Sequence, residues 1–288
     1  MQNIIQQYMN QIICGDHLQV LASFPDNSID LIITSPPYDD LRSYQGYRYI
    51  YYLFGMTVSR ILKQGGVMVY IIGDQVKHNS ESLSSYRHIE FFHSICNLNL
   101  HDTMIYEKSC FANPSSTRSH QIWEYMFVLS KGKPKTIHLL KDRPNKTKYN
   151  FGKSRRKVDG SMTYAGDTER IQLDEFGNRF NIWRYNTAKG SIATDEYAHT
   201  HPAIFPEDLA EDHIRMWSNE GDVVLDPMCG SGTVCKMAHK LHRNYIGIDC
   251  SQEYCDIAKK RVNYIDQQTK EKHRVKKLDH FFPQAAMH

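Results

Sequence analysis

The sequence predicts an α/β protein built on an open, mostly parallel sheet, and three observations carry that prediction. Val67 to Ile72 is an almost uninterrupted apolar run of strand length, the pattern of a strand covered on both faces. Asp222 to Leu225, a glycine loop, an amphipathic stretch to about Leu241, and Tyr245 to Ile248 closed by Asp249 read as a strand–loop–helix–strand unit. Ile29 to Ile33, interrupted only by Asp30, runs through Thr34 and Ser35 into Pro36-Pro37, so a strand delivers its tip into a rigid turn. The 288 residues suffice for a full α/β core with an insertion.

Taken in order, Asn10 to Asp16 reads as a short strand ending in a Gly-Asp tip, followed by a helix through Leu18, Val20 and Leu21. The turn at Pro25 to Ser28 leads to the central strand. Beyond it Tyr44, Tyr47, Tyr49, Tyr51 and Tyr52 are too polar and too closely spaced for a simple core stripe. Residues 53–63 predict a helix ended by Gly65-Gly66, then the strand to Ile72 and its Gly73-Asp74 tip. A helix near 86–97, strands near 102–106 and 124–129, and a Pro/Ser/Thr loop over 113–120 follow. Residues 131–195 lose periodicity and read as an insertion, most ordered around Asn181 to Tyr185. Order returns with a helix over 207–217, opened by Pro206 and two acids, then the strand–loop–helix–strand unit and a last helix from Ser251 to about Tyr264. A basic tail lies beyond Lys270.

Composition bounds the function classes. Hydrophobic content of 41% with 23% charged residues is that of a globular protein, and no apolar run has the length of a membrane span. With no basic n-region at the start, a cytoplasmic protein without membrane association is expected. The seven cysteines contain no C-x-x-C, which argues for reduced thiols. Cys229, Cys235, His239 and His242 match no structural zinc spacing, and no metal is expected. The net charge of +3 is modest, but Lys131 to Lys157 holds eleven Lys or Arg against the single acid Asp142, with Tyr149 and Phe151 among them. Such a run is either solvated surface or a nucleic-acid contact.

Two stretches carry chemistry. In Thr34-Ser35-Pro36-Pro37-Tyr38 the Ser35 hydroxyl and the Ser35 and Pro36 carbonyls are acceptors, no proline N–H competes, and Tyr38 offers a flat face. An amino group on a planar ring would suit that set; a proline turn that merely closes a strand is the competing reading. In Asp226-Pro227-Met228-Cys229-Gly230-Ser231-Gly232-Thr233, Gly230 and Gly232 allow close approach to a ligand, and Asp249 lies where a carboxylate takes two ribose hydroxyls. The loop lacks the third glycine of a dinucleotide site and a Walker lysine, which argues against a nicotinamide oxidoreductase, and Asp226 would repel a pyrophosphate. A cationic, phosphate-free adenosine such as S-adenosylmethionine fits better, with Asp226, Asp249 and Asp16 as its acids. Asp16 could equally cap the helix that follows it.

At these residues the chain resembles the β group of amino-methylating DNA methyltransferases: Ser35-Pro36-Pro37-Tyr38 is similar to their catalytic motif and the Asp226–Thr233 loop to their cofactor motif, in that order along the chain. Gly15-Asp16, Leu62 to Gly66, His201 to Pro206 and Tyr245 to Asp249 match by type and order, while Met228-Cys229 departs from the bulkier or aromatic residues usual there. The resemblance implies a Rossmann-like methyltransferase fold with a mostly parallel seven-stranded sheet, one strand antiparallel, circularly permuted with the catalytic half first. It divides the chain into a catalytic half (1–130), a target-recognition insertion (131–195) and a cofactor half (196–288).

It further implies methyl transfer from S-adenosylmethionine to N4 of a flipped-out cytosine in double-stranded DNA; Ser35 in place of aspartate favours cytosine over adenine N6. Ser35, Pro36, Pro37 and Tyr38 would be catalytic. Thr34, His201, Pro202, Phe205 and Cys250 would join Asp16, Asp249 and the Asp226–Thr233 loop around the cofactor. Arg42, Arg118, Lys146, Lys148, Lys153, Arg155, Arg156 and Lys157 would contact DNA. A cognate restriction endonuclease and a homodimer are partners the resemblance admits. A non-catalytic nucleic-acid-binding protein on this fold, or methylation of RNA or protein, are the competing readings.

Overall fold

The computed structural model describes residues 3–37, 49–110, 116–150, 155–163, 171–187, 192–195, 197 and 206–265. Tyr38, Arg42, Tyr44, Tyr47, Phe151, Lys153, His201, Pro202, Phe205 and the tail beyond Lys270 lie outside these. Two compact units are present, one formed by residues 1–138 with 182–288 and the other by 139–181.

The first unit is organised by a sheet of eight strands: β1 (Gln11–Cys14), β2 (Ile29–Thr34), β3 (Leu62–Ile72), β4 (Asn99–Lys108), β5 (Trp123–Ser130), β6 (Ile182–Tyr185), β7 (Val223–Asp226) and β8 (Asn244–Asp249). Their spatial order is β1-β8-β7-β2-β3-β5-β4-β6. Every neighbouring pair is parallel except the two made by β5, which runs against β3 and β4. The sequence predicts seven strands; the eighth is Ile182–Tyr185, paired in parallel with Ile105–Lys108. For that reason the second unit, which begins at Leu139, ends already at Asn181, inside the 131–195 expected from composition.

Besides the single turn Asn3–Gln6, the helices among the described residues are α1 (His17–Ala22), α2 (Tyr51–Ile61), α3 (Ser84–Ser94), α4 (Glu207–Trp217), α5 (Thr233–Lys240) and α6 (252–265). β2 is buried along its whole length and β3 from Gly65 onward, as their continuous apolar sequences require. Leu21, Phe24, Phe54, Phe92 and Tyr70 fill the core on one side, each at most 1% exposed.

Two local departures from the sequence-based reading have clear causes. The helix expected to run to residue 63 stops at Ile61, because the Asn27 and Ser28 amides donate to the Arg60 and Ile61 carbonyls. Gly65 then bends the extended chain at φ 79°, and its amide donates to the Lys131 carbonyl. Asp30, the one charge in β2, accepts from Lys63 Nζ at 2.6 Å, Lys135 Nζ at 3.1 Å and the Val223 amide at 3.0 Å. Burial alone would raise its pKa, but these donors hold the carboxylate below its usual range.

The second unit is a series of antiparallel pairs: Lys141–Pro144 with Phe176–Asn178, Tyr149–Asn150 with Ile171–Gln172, and Arg155–Arg156 with Met162–Thr163. The nesting of these pairs makes a two-stranded ribbon whose apical turn contains Gly160 at φ 83°. Among the described residues no helix is long and apolar enough to cross a membrane.

Candidate active site

From β7 the chain proceeds through α5 to β8 on one side, whereas β2 leads through α2 to β3 on the other. The divergence between β7 and β2 opens a crevice at their carboxyl ends, the place where open α/β sheets bind ligands. Val224 lies opposite Leu31 and Leu225 opposite Ile32, so the next residues along the two strands, Asp226 and Ile33, are level, and Thr34-Ser35-Pro36 continues from the neighbouring tip. On the other side Cys14 is registered with Asp249 and Asp226 with Gly247, which brings the Asp16 and Asp249 tips to the same edge.

The glycine loop is built by its backbone. The Cys229 amide donates to the Ile248 carbonyl at 2.8 Å and the Gly232 amide to the Cys229 carbonyl at 2.7 Å. Gly230 and Gly232 have φ of 48° and 78°, in the left-handed region that favours glycine. A Cβ at Gly232 would sit 2.6 Å from the Ala258 Cβ, so this glycine lets α6 pack against the loop, where the sequence suggests ligand approach. Cys229 Sγ lies against Gly247, where a Cβ would approach it to 3.1 Å; the small residue that departs from the family pattern is thus absorbed by packing on β8.

The acids differ in state. Asp226 is 2% exposed and accepts from the Met228 amide at 3.2 Å. Burial pushes its pKa up to about 7; the Met228 amide and the Thr34 hydroxyl work against the rise, and the Asp249 charge adds to it. The Thr34 hydroxyl is buried and among the described residues finds no partner within hydrogen-bond geometry, yet lies close enough to influence the carboxylate. Asp249 accepts from the Gly230 amide at 2.9 Å through Oδ2 and from the Ser251 amide at 2.9 Å through Oδ1. Burial still raises its pKa against those two donors. Each oxygen retains a lone pair, so the carboxylate can take further donors such as a diol. Asp16 caps α1 by accepting from the Gln19 amide at 3.0 Å, the second of its two sequence readings, and this does not consume both its oxygens.

The remaining sequence-predicted residues separate into groups. Ser35 and Pro37 are half-buried and Pro36 buried at the β2 tip; Pro227 is buried and Met228 half-buried in the loop, and Cys250 is exposed beside Asp249. The Ser231 and Thr233 hydroxyls, each on a residue 3% exposed, accept from Arg261 Nη1 at 3.0 and 2.9 Å, so they brace the loop from behind. Arg118 donates to the Asn79 carbonyl at 2.7 Å and lies 3.4 Å from Glu81, which ties it to the Val76–Glu81 hairpin.

Lys146, Lys148, Arg156 and Lys157 are exposed on the ribbon, where Arg155 also falls. By contrast Lys131 donates to the Leu62 carbonyl at 3.0 Å and Asn27 Oδ1 at 2.9 Å, while Lys135 holds Asp30. Lys131 and Lys135, at the start of the basic run, are therefore structural. Sequence reasoning missed Arg261, Lys236, Asp195 and Glu207, which meet in a buried cluster behind the loop. The available signal was a lysine inside the apolar stretch Val234 to Ala238.

Residues 29–260 match a family described as DNA methylase. The chain is 51% identical over 246 residues to the orphan methyltransferase M.BamHII of Bacillus amyloliquefaciens, covering 83% of this chain and 91% of that protein. It is 28% identical to the type II methyltransferase M.Cfr9I of Citrobacter freundii, over 86% of each chain. Among solved structures, the cytosine-N4-specific PvuII DNA methyltransferase aligns with a TM-score of 0.64 at 21% identity, covering 87% of this chain and 85% of that one. The complex of M1.HpyAVI with S-adenosylmethionine aligns at 0.56 and 20% identity, over 88% and 98%.

Proposed function

Because the chain belongs to the DNA methylase family, whose cofactor is S-adenosylmethionine, we propose that it methylates the exocyclic N4 of cytosine in double-stranded DNA. The observation that supports this reading most is the adjacency of β7 and β2, which brings the acid-opened glycine loop and Ser35-Pro36-Pro37 to neighbouring strand tips. The residues present fit the cofactor. A buried acid at Asp226, an acid at Asp249 with lone pairs to spare and the left-handed loop between them suit a cationic adenosine and would repel a phosphate.

Asp249 would hold the ribose hydroxyls, and Asp226 with the loop amides the amino-acid end. When bound, the cofactor supplies an electrophilic sulfonium methyl group. An exocyclic amino nitrogen is a weak nucleophile because its lone pair is delocalised into the ring. Ser35 Oγ and the Pro36 carbonyl, accepting from its two N–H groups, draw that lone pair out of conjugation and fix its direction. Pro36 and Pro37 contribute no competing donor and keep the acceptors rigid. Tyr38 would stack on the extruded ring. Serine at position 35, in place of aspartate, supports cytosine. The cationic ribbon residues Lys146, Lys148, Arg156 and Lys157 would hold the backbone, and a two-stranded ribbon has the width of a major groove.

Single-molecule sequencing of DNA from cells expressing the protein tests the reading by reporting the modified base and its context. N4-methylcytosine in one recurrent sequence is expected; N6-methyladenine would reassign the base, and unmodified DNA would remove the assignment. The 51% identical relative bears the name orphan methyltransferase, whereas M.Cfr9I is named type II, so a paired nuclease is a separate proposal tested by co-expression and DNA cleavage.

A further inference from the structure

Behind the glycine loop four charged side chains are buried together. Lys236 on α5 and Arg261 on α6 are both 0% exposed, and Asp195 and Glu207 are each 6% exposed. Lys236 Nζ donates to Asp195 Oδ2 at 2.6 Å, Glu207 Oε1 at 2.6 Å and Thr194 Oγ1 at 2.8 Å, the full complement of an ammonium group. Arg261 directs Nε at Asp195, 3.0 Å from Oδ2, and Nη2 at Glu207 Oε1, 2.8 Å away. Its remaining nitrogen, Nη1, donates to the Ser231 carbonyl at 2.9 Å, Ser231 Oγ at 3.0 Å and Thr233 Oγ1 at 2.9 Å. The Thr194 amide and hydroxyl donate to Glu207 Oε2 at 3.2 and 2.9 Å, which adds residues 194–195 to the assembly.

Two features separate this cluster from a simple stabilising network. Among the described residues charge balance, two cations against two carboxylates, is achieved without the loop, yet one side of the guanidinium is turned to it. The atom it holds, the Ser231 carbonyl, lies between two left-handed glycines, whose backbone has the widest conformational freedom to lose. A lysine at 261 could keep the pairing with the acids, but only a planar fork reaches the acids and the loop at once.

We propose that Arg261 is a positioning residue for S-adenosylmethionine, holding the Gly230-Ser231-Gly232 backbone in its binding conformation, with Lys236 fixing the two carboxylates that aim it. The proposal rests on the assignment of the Asp226–Thr233 loop as the cofactor site. Calorimetric titration of the full chain with S-adenosylmethionine, beside thermal unfolding without it, provides the test. Arg261→Lys is expected to weaken the cofactor by about tenfold while the unliganded melting temperature stays within about 4 °C.

Thr233→Val, which removes one acceptor of the clamp and leaves the four charges in place, is expected to give a smaller loss that does not add to that of Arg261→Lys. Unchanged affinity in Arg261→Lys, whatever its melting temperature, would overturn the proposal. If that variant does not fold, unchanged affinity in Thr233→Val would overturn it instead. Failure of the wild-type chain to bind S-adenosylmethionine would count against the site assignment, whereas wild-type binding with unaffected variants would remove only the clamp.

Discussion

The Asp249 carboxylate accepts the Gly230 amide at 2.9 Å, so the acid at the tip of one strand fastens the loop that leaves its neighbour. This single hydrogen bond links the acid proposed to hold the ribose to the conformation of the loop, and both should fail together. Asp249→Ala is expected to weaken S-adenosylmethionine on the order of a hundredfold, since it removes a charged acceptor from both the ligand and the loop. Asp249→Asn, which keeps an acceptor oxygen, should lose less. Calorimetry on the two variants gives the comparison; equal affinities in Asp249→Ala and wild type would rule the linkage out.

Ser35→Ala should act on the chemical step. In its proposed role the hydroxyl accepts from the target amino group and contributes only as the nitrogen becomes nucleophilic, so single-turnover methylation is expected to fall on the order of a hundredfold. Cofactor affinity should be unchanged. A variant that binds cofactor poorly but methylates normally once saturated would reverse the assignment.

The proposed role of Asp226 predicts pH-dependent cofactor binding. Its carboxyl, pushed up to about 7 by burial, keeps its proton in the unliganded protein on the acid side of neutrality. A bound cation favours the carboxylate, so binding releases a proton there and affinity rises with pH by up to about tenfold per unit until it levels off above about 7. In the unliganded protein the sign is opposite. A raised folded pKa stabilises the fold below the ordinary carboxylate range, and that contribution fades as pH rises through about 7. Asp226→Asn should flatten the affinity profile, and a profile that stays steep in this variant would assign the proton elsewhere.

The basic run should divide in two. Neutralising Lys146, Lys148, Arg156 and Lys157 together is expected to weaken DNA binding and to lower the slope of log affinity against log salt by about 0.9 for each phosphate no longer neutralised. Lys135→Gln, beside Asp30, should leave that slope alone and cost less than about 1 kcal/mol of stability, because the lysine is half exposed. Equal slopes in both proteins would return the ribbon residues to ordinary solvated surface.

Much of this architecture was legible in the residues because its signals are local. The apolar runs of β2 and β3, the Pro206 entry to α4 and the Asp226-to-Asp249 unit each lie within a window that pattern alone resolves. The roles that escaped depend on partners far apart in the chain. Lys131 and Lys135 read as part of one cationic block, but they meet Asn27, Leu62 and Asp30 only once β5 lies beside β3. Ile182–Tyr185 carries a strand-like pattern, yet nothing in its own residues says that it pairs with β4. Arg261 likewise becomes meaningful only beside Asp195, Glu207 and Ser231, from three other segments. Gly232 shows the converse: the glycine was readable, whereas its cause, close packing on Ala258, was not.

Transfer to an exocyclic amino nitrogen held by Ser35 and Pro36 is decided by nucleoside mass spectrometry. Purified protein is incubated with duplex DNA and methyl-labelled S-adenosylmethionine, and the DNA is digested to nucleosides. Label in N4-methylcytosine, sharply reduced with Ser35→Ala, is the predicted result. Label at a ring carbon such as C5 of cytosine, or label in the amino group undiminished by Ser35→Ala, would contradict it.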